Sequence, residues 1–81
     1  MDRNEVFELV RDHLAAELEV DPDRIAEGTR FKQDLDADSL DLYELVMELE
    51  DRYGVSVSEQ QAAQIETVGD AVSFVLEHAP A

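Results

Sequence analysis

Between Asp38 and Gly54 the sequence specifies a helix at both ends and along its length, and no other stretch constrains the fold as much. Leu42, Leu45, Val46, Leu49 and Tyr53 recur at the spacing that puts side chains on one face of an α-helix. Asp38 suits the N-cap, with Asp41 at the third helical position, and Gly54 supplies the stop. A helix predicted over Ser39–Tyr53 therefore has one apolar face that other elements must cover. The available partners are helical too. Asp2, with Glu5 three residues on, has the form of a capping box, and Val6, Leu9, Val10, His13, Leu14 and Leu18 follow at helical spacing. Ser58 with Gln61 marks a short helix through about Gln64. Thr67 with Asp70 opens another that carries Val68, Ala71, Val72, Val75 and Leu76. The β-prone run Val55 to Val57 has no second strand to pair with. The expected fold class is all-α, a small four-helix bundle of three main helices and one short one.

The connection from Glu19 to Asp38 breaks the helical period, with Asp21-Pro22-Asp23 as turn chemistry and Gly28 as a second break. Val20, Ile25, Phe31 and Leu35 give this long loop apolar anchors, so it is expected to be ordered. The 81 residues suffice for a single domain, 1–81. Apolar residues at 44% place the chain among folded rather than disordered sequences despite its charge. The apolar runs are too short to span a membrane, and the N-terminus lacks the form of a signal peptide, so a cytoplasmic monomer with no membrane partner is expected. Without cysteine there is no disulfide, no thiolate metal site and no thiol nucleophile. Any thioester must be carried on an added group.

The net charge is −15, from 21 acidic against 6 basic residues, and such a field repels nucleic acid and anionic headgroups. The acid is concentrated: Asp34 to Asp51 holds eight carboxylates and no base. A basic protein surface is the natural complement. On the side of helix two away from its core face fall Leu40, Glu44, Met47 and Asp51, flanked by Tyr43, Glu48 and Glu50. Apolar side chains among carboxylates on one stripe have the composition of a docking surface, in which the acids steer and the apolar groups are desolvated.

Ser39 lies within "DLDADSLD" and admits three chemical readings. Asp34, Asp36 and Asp38 alternate as in a calcium-binding EF-hand loop, but its sixth and twelfth places hold Ser39 and Leu45 instead of Gly and Glu. No metal site is predicted, beyond weak attraction of divalent cations to the acid as a whole. A catalytic serine needs a nearby base, and the only histidines are His13, on the apolar arc of helix one, and His78 near the end. No enzyme is predicted. The third reading is modification by another enzyme, since a serine opening a helix stands beside free backbone N–H groups where an attached phosphate is well placed. An ordinary first-turn serine satisfies the same position.

The residues "DLDADSLDLYELVMELEDRYGV" and "IETVGDAVSFVLEH" closely resemble the acyl carrier proteins of bacterial type II fatty acid synthesis, and the likeness covers nearly the whole chain. The resemblance implies that Ser39 receives 4′-phosphopantetheine from coenzyme A through a phosphopantetheinyl transferase. The terminal thiol of that arm would then carry fatty acyl chains as thioesters. It implies partner contacts with basic patches of the transferase and the synthesis enzymes through Asp38, Leu40, Asp41, Tyr43, Glu44, Met47, Glu50 and Asp51. It also implies an acyl cavity near Val46, Leu49, Ala62, Ile65 and Ala71. Three positions depart from the family pattern: Asp36 stands where many members have Gly, Tyr43 where a small β-branched residue is common, and helix three carries only Glu59 where several acids are usual. A carrier of a polyketide or other specialised pathway would share Ser39 and the fold. An unmodified acidic interaction module is the alternative from a different class.

Overall fold

The computed structural model describes residues 2–79. Its helices are α1 (Arg3–Leu18), α2 (Ser39–Tyr53), α3 (Glu59–Ala63) and α4 (Val68–His78), with a 3-10 turn at Pro22–Arg24 in the first connection. No strand occurs among the described residues, only an isolated antiparallel bridge between Arg30 and Thr67. The all-α expectation holds, and α2 has the predicted bounds.

The helix starts follow from their caps. Reciprocal capping boxes open α2 (Asp38 and Asp41), α3 (Ser58 and Gln61) and α4 (Thr67 and Asp70). Each such cap contributes about 1 kcal/mol. At α1 the Asp2 carboxylate instead accepts from the Asn4 N–H at 3.0 Å, so Asp2 caps the helix without the predicted box partner Glu5. Gly54 ends α2 in the left-handed region, φ 68°, with its N–H on the Glu50 carbonyl. Glu19 ends α1 at φ 55°, and the Val20 N–H reaches back to the Ala15 carbonyl at 3.1 Å.

Val6, Val10 and Leu14 of α1, Leu45 and Leu49 of α2, and Val68, Val72 and Val75 of α4 are almost wholly buried and form the core. Side chains of this kind contribute about 1.5–3 kcal/mol each when fully removed from water. α1 and α4 make the most extensive helix–helix contact. Leu9, Leu18, Leu42 and Tyr53, also on predicted apolar faces, are half-buried at its margin.

The connection between α1 and α2 is ordered. Ile25 and Phe31 are buried as anchors, together with Ala37, while Val20 and Leu35 pack against the core from partly exposed positions. Beyond those anchors, the loop is tied to the start of α4 by three backbone hydrogen bonds. The Gly69 N–H reaches the Glu27 carbonyl at 2.7 Å, the Val68 N–H reaches Thr29 at 2.9 Å, and the Phe31 N–H reaches Glu66 at 3.0 Å. This close approach explains Gly69, where a Cβ would stand 2.9 Å from the Glu27 carbonyl oxygen. Arg3 reinforces the same junction by donating to the Glu27 carboxylate and to Ser73 Oγ.

Asp36 has φ 55°. That backbone conformation costs most L-residues energy and costs glycine nothing. Asp36→Gly is expected to raise stability by about 0.5–1 kcal/mol, once the greater entropy of an unfolded glycine is set against the relieved strain. Urea unfolding measures this, and a midpoint below that of the parent would show that the Asp36 side chain contributes more than its backbone costs.

Candidate functional site

Ser39 is the first residue of α2 and is exposed. Two features fix its place. The Asp41 N–H donates to the Asp38 carboxylate at 3.0 Å while the Asp38 N–H donates to that of Asp41 at 3.1 Å, which locks the first turn. Just upstream, the Ala37 N–H donates to the Phe31 carbonyl at 2.9 Å and closes the loop on itself. The run of acid thus has local structural uses. Asp34 accepts from the backbone N–H of Arg30 and faces its guanidinium, and these two contacts, in that order, hold its carboxyl below the usual range.

Beside Ser39 opens a cavity of about 300 Å³. Its apolar lining comes from Phe31 and Ala37 of the loop, Leu42 of α2, Ala62 and Ala63 of α3, and Ile65. Lys32, Tyr43 and Glu59 are among its polar lining. The five residues expected around an acyl cavity are all buried, but only Ala62 and Ile65 line this one. Leu49 and Ala71 belong to the continuous core, and Val46 sits one turn farther along α2 than the lining residue Leu42. Phe31 was legible as a loop anchor and Leu42 as an apolar helix position. Nothing in the sequence signalled Ala37.

Leu40, Tyr43 and Met47 are 64%, 47% and 62% exposed, and they are the exposed large hydrophobic residues of the described structure. They share the outward stripe of α2 with exposed Glu44 and Asp51, next to exposed Asp38 and half-buried Asp41. Glu50 is placed differently from the others. It is half-buried, and its carboxylate accepts from the Val57 N–H at 3.1 Å, so it braces the connection to α3. Glu48 pairs with Arg52 at 3.3 Å.

Glu44 makes a contact that sequence spacing could not show. Carboxylate oxygens of Glu17, Asp41 and Glu44 lie within 4.8 Å of one another where the end of α1 meets α2. A hydrogen bond to Glu17, and then the like charge of Glu17, hold the Glu44 carboxyl above its ordinary range. Neither histidine lines the cavity with Ser39. The His13 Nε2 is buried without a hydrogen-bond partner among the described residues, 3.8 Å from Glu17, and His78 stacks on Phe74.

Residues 8–75 match the family described as the phosphopantetheine attachment site. Over 78 residues the chain is 46% identical to the acyl carrier protein of Lactobacillus acidophilus, covering 96% of this chain and 98% of that one. The chain belongs to the acyl carrier protein family. A solved structure of the acyl carrier protein from Enterococcus faecalis superposes with a TM-score of 0.83 at 35% identity, covering 98% of this chain and all of that one. An acyl carrier protein bears covalently attached 4′-phosphopantetheine, and the residues present fit that group. An exposed hydroxyl stands at a locked helix start, and a largely apolar cavity opens next to it.

The raised Glu44 carboxyl makes a pH prediction. A carboxyl whose pKa is higher in the folded than in the unfolded state binds its proton more tightly when folded. It therefore favours folding at low pH and loses that contribution as pH rises through and above the ordinary carboxylate range. In Glu44→Gln the fall in melting temperature across that window should be shallower than in the parent. Parallel melting curves from pH 4 to 7 would show that the Glu17–Glu44 contact does not matter to stability.

Proposed function

We propose that Ser39 is the attachment point of the 4′-phosphopantetheine arm, and that the chain shuttles growing acyl chains among the enzymes of fatty acid synthesis. The observation that carries this reading is the exposed Ser39 hydroxyl at the start of α2, held by the Asp38–Asp41 box at the side of a 300 Å³ cavity. When bound, the arm supplies the terminal thiol, and hence the thioester chemistry, that a chain without cysteine lacks.

The protein's own residues do the rest. The capping box uses the carboxylates on either side of Ser39, and no side-chain hydrogen bond among the described residues engages the serine hydroxyl. It remains accessible to a modifying enzyme. Asp38, Asp41 and Glu44 attract the basic surface of that enzyme, and Leu40, Tyr43 and Met47 provide apolar area to be buried against it. Steering by charge with a small apolar centre gives fast, salt-sensitive and short-lived association, which a carrier serving many enzymes requires. Phe31, Leu42, Ala62 and Ile65 offer the attached chain a place out of water.

The residues work as one carrier domain, and as a carrier rather than a catalyst. No helix among the described residues is long and apolar enough to cross a membrane.

Incubation with coenzyme A, Mg²⁺ and a broad-specificity phosphopantetheinyl transferase should add one phosphopantetheine mass to the parent, located by fragmentation to Ser39. Ser39→Ala should add none while keeping the helical circular dichroism of the parent. Loading that persists in Ser39→Ala would defeat the assignment.

A further inference from the structure

Attachment at Ser39 brings a negatively charged phosphodiester into a region that already contains Asp36, Asp38 and Asp41. The start of α2 supplies some positive potential there, but a full compensating charge has to come from a basic side chain. The chain has 6 basic residues against 21 acidic ones, and most of the former are already occupied. Arg3 meets Glu27, Arg11 meets Asp12, Arg30 meets Asp34, and Arg52 meets Glu48. Among the described residues Lys32 has no such partner, although it belongs to a strongly acidic chain. Lys32 also lines the cavity that Ser39 lines, where the other charged lining residues are the acids Asp38, Glu59 and Glu66.

Its position is built into the loop. Phe31, immediately before it, is buried and accepts the Ala37 N–H, which brings the 31–37 segment back so that Lys32 flanks the same opening as Ser39. On the other side, Arg30 and Asp34 hold the turn through the Arg30 N–H to the Asp34 carboxylate at 2.8 Å and the Asp34 N–H to the Arg30 carbonyl at 3.1 Å.

Building on the Ser39 assignment, we infer that Lys32 is a positioning residue for the arm. Its ammonium faces the phosphodiester and holds the first part of the arm toward the cavity between α2 and α3. The interaction is electrostatic and exposed to solvent, so it directs the arm without fixing it, and salt weakens it.

Lys32 is the only lysine in the chain. Reductive ¹³C-methylation, which retains its charge, therefore gives a single lysine side-chain signal. On loading with 4′-phosphopantetheine that signal should shift, and most of the shift should vanish at about 1 M salt, where the screening length falls to about 3 Å. Reciprocally, the ³¹P signal of the loaded protein should move in Lys32→Gln toward the position that the parent's signal takes at about 1 M salt. It should stay in place in Arg24→Gln, a change of a basic residue in the 3-10 turn. If loading succeeds and neither signal responds, the positioning role is wrong while the attachment at Ser39 stands. If the parent protein takes no arm at all, both are overturned together.

Discussion

The site depends on the seam where the long connection meets the start of α4. Three backbone hydrogen bonds join Glu27, Thr29 and Phe31 to the 66–69 segment, and Gly69 allows the chains to come that close. This seam leaves a loop of about 20 residues with little freedom and seats Phe31 beneath the cavity. The Phe31–Ala37 bond then delivers the chain to Asp38 in the conformation that the capping box of α2 requires. Ser39 is thus presented by a rigid helix start, yet it lies next to α3, which is only five residues long and is the shortest of the four helices.

Charge works at two levels here. Individually, the carboxylates around Ser39 serve as caps and braces: Asp34 on the Arg30 turn, Asp38 and Asp41 on α2, and Glu50 on the α2–α3 connection. Collectively they leave an acidic face around Leu40, Tyr43 and Met47, whose exposure has no role in the fold. The two levels compete, because packing like charges costs stability, and Glu17 and Glu44 are one such crowded pair. Under the proposed carrier role, the basic surfaces of its partners supply the missing positive charge.

Much of this was legible in the sequence. Helix α2 could be read to the residue because its apolar period, cap and glycine stop agree, and its outward stripe could be read because the period leaves Leu40 and Met47 away from the core. The serine was singled out by its surroundings, but its position alone could not distinguish a modified residue from an ordinary first-turn one; the family likeness was needed. What was hidden depends on contacts between segments distant in sequence. The Arg30–Thr67 bridge, the need for Gly69, and the meeting of Glu17 with Glu44 leave no periodic trace. The opening beside Ser39 left no trace in the sequence for the same reason. Val46 and Leu49 are conspicuous apolar residues, but it is the fold of the loop that brings Phe31 and Ala37 to the lining beside Leu42.

Native-state hydrogen exchange at the loop–α4 seam tests the central claim most directly. If the seam holds the site together, the amides of Phe31, Val68 and Gly69 should exchange only through openings nearly as costly as global unfolding, alongside those of Val10 and Leu49 in the core helices. Rapid exchange at those three amides, with α1 and α2 still protected, would contradict the account and show that the serine is presented without support from the loop.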